Sequence, residues 1–418
     1  MVFAPDRRHL LAAAAALPVL GLSRIVRAAE PDLAGLADMT TRTAPIGPVE
    51  RAGRLARAQG LMRRHSIDAI VVESGSSLEY FTGVRWGRSE RATLAVIPVE
   101  GTPCIVTPFF EEPSVRQTLG VPAEVRTWQE DGNPFVVAAG FLRDRKIAGR
   151  TIGIEETVRF FIQEGLGQAM PRARLVSANP VVRGCRMVKT PAEIALMQAA
   201  TDVTIAAYRW TKPRVETGMT GAEIGALMDA ATVALGGSPE FALALIGPAA
   251  ALPHGTREVS RLAKGDVLLM DCGCIVRGYQ SDVSRTWVHG AASSAQRTVW
   301  DQVARGQQVA FAAARVGAAA GSVDDAVRRF YTGLGYGPGY ALPGLSHRTG
   351  HGIGMDGHEP VNLVHGETTL LAPGMCFSNE PGLYLPGKFG VRLEDCFHMT
   401  ATGPRWFSEP PTSIDAPV

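Results

Sequence analysis

The chain has 418 residues, of which 46% are hydrophobic and 20% charged, so it can bury two ordinary cores and is not a disordered or low-complexity protein. Lys plus Arg number 42 against 40 for Asp plus Glu, which excludes bulk attraction to nucleic acid or an anionic membrane and leaves a small molecule or peptide as the expected partner. The 6 cysteines, Cys104, Cys185, Cys272, Cys274, Cys376 and Cys396, are too scattered for a disulfide framework and read as buried small apolar residues.

At the start of the chain, Arg7-Arg8-His9-Leu10-Leu11 leads into an apolar Ala/Leu run and then Val26-Arg27-Ala28-Ala29. This is a leader layout, too short between Leu10 and Leu22 for the ~20 residues that span a bilayer. The paired arginines resemble a twin-arginine signal, so residues 1–29 are expected to direct the protein to the periplasm or outside, with no stable membrane anchor. Without a working leader the protein would be cytoplasmic.

Residues 45–183 read as one α/β domain. Leu55, Ala58 and Met62 recur at helical spacing; Ala69-Ile70-Val71-Val72, Ala92–Val99, Cys104–Pro108 and Thr151–Ile154 read as strands, and Phe135–Leu142 as a helix. A second domain, 184–418, opens with Thr190-Pro191-Ala192-Glu193, a capping box with proline at the first helical position. Thr220-Gly221-Ala222-Glu223 repeats the box, and Gly236-Gly237 ends that helix. A third helix is expected over Ser322–Phe330, with strands over Val267–Cys272, Asp282–Val288, Met375–Asn379 and Val391–His398. Helices interleaved with antiparallel strands make this half α+β.

Chemistry concentrates in that half. The run Val267-Leu268-Leu269-Met270 carries Asp271 into a buried strand, where an unpaired carboxylate costs several kcal/mol. A turn at Arg277-Gly278-Tyr279 lets Asp282 return beside it, and two adjacent anions repel unless one is protonated or a cation lies between them. His351, Glu380 and Glu394 fall in similar apolar settings. Four carboxylates carry about four negative charges, which two divalent cations would balance. Oxygen-rich ligation with one imidazole favours manganese, cobalt or iron over a thiolate zinc site. Taken singly, each residue also has a structural reading: Asp271 as a turn cap, Glu394 as an ion-pair partner of Arg392, His351 as a core histidine.

Taken in order, the motifs resemble the pita-bread metallopeptidase family, which holds aminopeptidase P, prolidase and methionine aminopeptidase. They are Leu252-Pro253-His254-Gly255, Leu268-Leu269-Met270-Asp271-Cys272-Gly273, Ser281-Asp282-Val283-Ser284-Arg285-Thr286, His347-Arg348-Thr349-Gly350-His351-Gly352-Ile353-Gly354, His358-Glu359, Asn379-Glu380-Pro381-Gly382 and Arg392-Leu393-Glu394-Asp395. Tyr80-Phe81-Thr82-Gly83 resembles the creatinase-type N-terminal domain of the proline-directed branch. The implied fold is a creatinase-like α/β domain followed by an α+β pita-bread catalytic domain.

The resemblance implies that Asp271 serves one metal, Asp282 and Glu394 bridge, and His351 and Glu380 complete the other; the ions would be Mn2+, or Co2+, Fe2+ or Zn2+. It makes Glu380 the proton shuttle and His254, His347 and His358 substrate-side hydrogen-bond donors, with Arg392 orienting the carboxylates. The implied reaction is hydrolysis of the bond preceding proline by a metal-bridging hydroxide, releasing the N-terminal residue of Xaa-Pro peptides, by a homodimer or higher homo-oligomer. Prolidase-like dipeptidases place an arginine a turn or so before the strand that carries the metal-binding glutamate, where it holds the dipeptide carboxylate; Val364-His365-Gly366-Glu367-Thr368-Thr369 has none, which puts strict dipeptidase activity in question unless another arginine or one of the histidines substitutes. The alternative is the same fold and metal site acting on a small non-peptide substrate as hydrolase or lyase.

Overall fold

The structure is a computed structural model that describes residues 31–418; the expected leader at 1–29 lies outside them. Six strands, β1 (Ala69–Glu73), β2 (Leu94–Pro98), β3 (Cys104–Pro108), β4 (Glu124–Trp128), β5 (Thr151–Ile154) and β6 (Arg174–Ser177), form one sheet in the order β4-β3-β2-β1-β5-β6. Neighbours β1/β2 and β2/β3 are antiparallel and the other pairs parallel. Helices α1 (Pro48–Arg64), α2 (Ser76–Thr82), α3 (Glu112–Thr118), α4 (Pro134–Asp144), α5 (Phe160–Ala169) and α6 (Asn179–Arg186) accompany it. β1, β2 and β3 are buried throughout, as continuous apolar runs covered on both faces require.

Because side chains alternate across a strand, β1 feeds two interiors. Ala69 and Val71 pack in a core with Phe141, Leu142 and Ile162, from α4 and α5. Ile70 and Val72 pack in another, with Met62 of α1 and Val181 of α6. That second core continues into Leu196 and Met197 of α7 (Pro191–Thr211) and into the next half of the chain.

The expected capping boxes form. Thr190 N–H donates to Glu193 Oε2 at 2.9 Å while Glu193 N–H donates to Thr190 Oγ1, and Thr220 and Glu223 do the same at the start of α8 (Gly221–Ala234). The second half holds the sheet β10-β8-β7, made of β7 (Ser238–Ile246), β8 (Val267–Val276) and β10 (Val283–Val288), with β9 (Tyr279–Gln280) paired to β8. Arg277 and Gly278 both take positive φ, 49° and 88°, which closes the tight hairpin between β8 and β9. A five-stranded sheet follows the order β12-β11-β13-β16-β17, from β11 (Gly350–Gly352), β12 (Glu359–Leu363), β13 (Cys376–Asn379), β16 (Asp395–Thr400) and β17 (Gly403–Trp406), and β14 (Gly382–Leu385) pairs with β15 (Phe389–Arg392) as a separate hairpin. All these pairings are antiparallel.

Two sequence expectations are corrected. Val391–His398 is not one strand: β15 ends at Arg392, Leu393 and Glu394 cross between sheets, and β16 begins at Asp395. The break arises because β15 pairs only with β14 and β16 with β13, so the chain changes sheet between them. A helix absent from the expected set, α9 (Ser294–Ala313), precedes α10 (Gly321–Gly333). Its capping box of Ser293 and Gln296 was available, but its buried stripe includes Gly306 and Gln307, which blunt the apolar period.

Polar ties join the halves. Arg54 of α1 donates to the Tyr279 hydroxyl at 2.8 Å, and that hydroxyl donates to Glu193 of α7 at 2.7 Å. Arg186 at the end of α6 pairs with Asp356 at 2.7 Å and with Glu359, and Lys189 reaches Glu359 at 3.0 Å.

Candidate metal centre

The parity of β8 aims its one carboxylate. Leu268, Met270 and Cys272 face the core shared with α7, while Val267 and Leu269 face the core of α9 and the second sheet. Asp271 follows the odd parity and therefore points between the sheets. Across the ladder it sits opposite Ser284 of β10. Asp282, just before β10, is 6% exposed, and Glu394, in the crossing between β15 and β16, is 1% exposed, with its N–H donating to the Ser284 carbonyl.

His351 lies on β11 between two glycines. A Cβ on Gly350 would come within 2.2 Å of the Ser378 carbonyl oxygen and one on Gly352 within 2.6 Å of that of Glu359, so only glycine lets β11 sit so close to its neighbours. From α10, Asp324 accepts from Thr349 N–H and Oγ1 and pairs with Arg328, which donates to the His347 carbonyl; this anchors the loop entering β11. Glu380 follows β13, its N–H donating to the Thr349 carbonyl at 2.9 Å.

All nine site residues expected from sequence line one cavity of about 690 Å³. Ligand atoms within 4.8 Å of one another gather Asp271, Asp282 and Glu394 in one group and His351, Glu380 and Glu394 in a second; Asp282, His351 and His358 make a third. His351 Nδ1 lies 3.1 Å from the Gly352 carbonyl, so it carries the proton and leaves Nε2 bare, 3.4 Å from Glu380 Oε1 and 3.6 Å from Asp282 Oδ2. Burial, and then the neighbouring His358, push the His351 pKa down to about 3, so the ring is neutral at physiological pH and its Nε2 is available to a cation.

The carboxylates behave oppositely. Burial, and then Asp271 and Glu380, push Asp282 well above the usual carboxylate range; burial, Asp282 and Glu380 do the same to Glu394. Glu380 is pushed up to about 7, mainly by burial, with Arg392 opposing. Asp282 Oδ1 and Glu394 Oε1 are buried without any hydrogen-bond partner. A buried acceptor without a donor is costly, and two of them among repelling acids fit a cation site. The donor set of carboxylate oxygens and one bare imidazole nitrogen suits divalent ions.

Arg392 is placed to orient the acids, with Nη2 2.7 Å from Asp271 Oδ2, Nε donating to Ser284 Oγ at 2.9 Å and Nη1 to the Tyr384 hydroxyl at 3.0 Å. Its ion-pair partner is Asp271, not Glu394. Ser284 Oγ lies 2.9 Å from Asp271 Oδ1 and 2.8 Å from Glu394 Oε2, and its single proton serves one of them at a time.

The three histidines differ. His254 is exposed and has no hydrogen bond among the described residues. His358 Nδ1 accepts from Arg348 Nη2 at 3.3 Å, which leaves Nε2–H toward the cavity, and its ring lies 4.0 Å from that of His351. His347 departs from expectation: Nδ1 meets the Arg348 carbonyl and Nε2 the Tyr384 hydroxyl, each at 2.7 Å, so neither nitrogen is left to donate to a substrate. Burial and then Arg392 push it down to about 3, and it acts in the structure as the acceptor that fixes Tyr384. Tyr384 and Ser284 were missed as site residues; Ser284 stood inside a quoted motif, while Tyr384 carried no local signal beyond an aromatic on a short strand.

Residues 195–401 match the profile of the Metallopeptidase family M24, and residues 54–188 that of the Creatinase/Prolidase N-terminal domain. A Mycobacterium tuberculosis protein named "Probable dipeptidase PepE" is 32% identical over 84% of this chain and 92% of its own length. The chain belongs to metallopeptidase family M24. An Xaa-Pro dipeptidase of Lactobacillus helveticus is 29% identical over 85% of this chain and 96% of its own. The crystal structure of dipeptidase PepE from Mycobacterium ulcerans superposes with a TM-score of 0.80 at 30% identity, covering 88% of this chain and 98% of that one. The chain is thus a metallopeptidase with a creatinase-like α/β domain followed by an α+β pita-bread domain, and its family implies divalent metal ions. No helix among the described residues is long and apolar enough to cross a membrane.

Proposed function

We propose that this metallopeptidase hydrolyses the peptide bond preceding proline, releasing the N-terminal residue of Xaa-Pro peptides, with two divalent ions held by Asp271, Asp282, His351, Glu380 and Glu394. The observation that carries the proposal is the pair of unpartnered buried oxygens, Asp282 Oδ1 and Glu394 Oε1, at the junction of the candidate ligand groups. When bound, the ions, Mn2+ first among them, supply an activated water and a Lewis acid for the carbonyl.

Glu380 takes the proton of the attacking water on its carboxylate and passes it to the proline nitrogen as the C–N bond breaks. That transfer is essential because the nitrogen would otherwise have to leave as an amide anion, and because proline's tertiary amide has no N–H, the pocket accepts the ring instead of pairing with a donor. His358 Nε2–H and His254 donate to the carbonyl oxygen as it gains charge. Arg392 and Ser284 hold Asp271 and Glu394 in register, and Tyr384, fixed by His347, holds Arg392. The reading also takes residues 1–29 as an export leader, which a reporter fusion tests in cells with and without twin-arginine transport.

The test is product release by manganese-reconstituted protein on Xaa-Pro, Xaa-Pro-Yaa and Xaa-Ala peptides, with and without chelator. Cleavage confined to the proline peptides and abolished by chelator is expected. Protein shown to hold two metals that cleaves none of the three would refute the peptidase substrate and favour a small non-peptide one.

A further inference from the structure

The active-site cavity holds two arginines, and their situations are unlike. Arg392 is neutralised by Asp271 at 2.7 Å. Arg348 has no carboxylate within 4.0 Å among the described residues, although most other partly buried arginines near the site, Arg186, Arg285 and Arg328, are each paired with an acid. Its head group is nonetheless fixed: Nη1 donates to Asn362 Oδ1 at 2.9 Å, and Nη2 lies 3.3 Å from His358 Nδ1. Asn362 is the β12 residue paired with His351, so the anchor and the candidate ligand belong to one ladder. Two of five N–H donors are thereby used, and the rest are available to a planar anion. A guanidinium held in place without a counter-ion, on the wall of a substrate cavity, is built for a carboxylate that arrives with the ligand.

We propose that Arg348 binds the C-terminal carboxylate of an Xaa-Pro dipeptide and thereby sets the enzyme's preference for dipeptides over longer chains. The assignment rests on the Xaa-Pro peptidase reading above. It supplies a cation for the dipeptide terminus from the loop entering β11, where the stretch Val364–Thr369 offers none. In a dipeptide the carboxylate is carried by the proline itself; in Xaa-Pro-Yaa that position is a neutral amide and the charge lies one residue farther on. Arg348 is a specificity residue and takes no part in proton transfer.

The experiment compares wild type, Arg348→Gln and Arg348→Lys, all full-length and manganese-loaded, on Ala-Pro, Ala-Pro amide and Ala-Pro-Gly, with bound metal measured in each. Arg348→Gln is expected to raise KM for Ala-Pro roughly ten- to hundredfold more than for Ala-Pro amide, the usual worth of a charge-assisted hydrogen bond, while any loss that comes through the His358 contact falls on both substrates alike and metal content changes less than about threefold. Arg348→Lys, which keeps the charge but loses the fork, is expected to retain part of the preference for Ala-Pro over its amide. Equal loss on Ala-Pro and its amide, or no change on either, overturns the assignment. If Arg348→Gln does not fold, an unchanged Ala-Pro to amide ratio in Arg348→Lys overturns it, and a reduced ratio supports it. Wild type that cleaves Ala-Pro-Gly but not Ala-Pro also overturns it while leaving the peptidase reading intact. Metal-loaded wild type inert on all three substrates refutes that reading itself.

Discussion

Among the described residues, the buried acid at the junction of the halves and the buried acids of the cavity shift in opposite directions. At the junction of the halves, burial alone would raise Glu359, but Arg186 and Lys189 outweigh it and hold the carboxyl down at about 2. In the cavity, Arg392 faces Asp271, Asp282, Glu380 and Glu394, and the last three are pushed upward. The first cluster is charge-balanced by the protein; the second is acid-rich and leaves two oxygens without donors. Burial is common to both, so the supply of positive charge decides the sign, and a protein leaves that supply short where a cation is to enter.

Substitutions separate the two most sharply. Asp282→Asn should abolish metal retention and lower activity by about 1,000-fold or more, while the metal-free protein unfolds at the same or a higher temperature because one repelling acid is gone. Metal analysis and calorimetry on the same sample check this, and a variant that keeps both metals breaks the comparison. Glu359→Gln should do the reverse. It leaves Arg186 and Lys189 short of a counter-charge and costs about 3–5 kcal/mol in urea unfolding, with the metal content of the folded fraction unchanged. Next in size, Arg392→Lys should weaken metal affinity or activity by about 10- to 100-fold, since a lysine cannot reach Asp271, Ser284 and Tyr384 together.

The smallest effect is one of pH. Glu380 has a folded value above its unfolded one, so in metal-free protein its contribution is full below about pH 4.5 and is lost as pH rises through about 7, and Asp282 and Glu394 are shifted in the same direction. Stability of the metal-free form should therefore fall across that window by about 1 kcal/mol per pH unit for each proton involved, and metal should remove the slope. Glu359 works the other way: its contribution is present above about pH 4.5 and lost as pH falls toward 2. Denaturation midpoints across pH 3–8, with and without metal, read both arms.

Local signals in the sequence carried local structure. β1 stood out as an apolar run, and Thr190 and Thr220 announced their helices through chemistry confined to four residues. The candidate ligands were legible because each interrupts an apolar segment and their order is that of a family. What stayed hidden depends on distant partners. Glu359 reads as an ordinary surface acid until Arg186, 173 residues earlier, is brought against it. Tyr384 meets His347 across 37 residues, and that contact turns a presumed substrate donor into a support. The break after Arg392 is set by which strands β15 and β16 find, a property of the assembled sheets.

The core that runs from Ile70 and Val72 through α1 and α6 into α7 and β8 bears on how the chain is made. Synthesis proceeds from the N-terminus, and the first sheet can close its Ala69 and Val71 side against α4 and α5 as soon as these are available. Its other interior lacks Leu196 and Met197 until nearly half of the polypeptide has been translated, and Leu268 and Met270 until well over half has. The emerging first domain therefore waits with an incomplete apolar surface on the ribosome. A nascent chain stalled before residue 190 leaves that surface open to a chaperone, whereas one that has passed β10 has covered it but still exposes Val267 and Leu269 until α9 and the second sheet arrive.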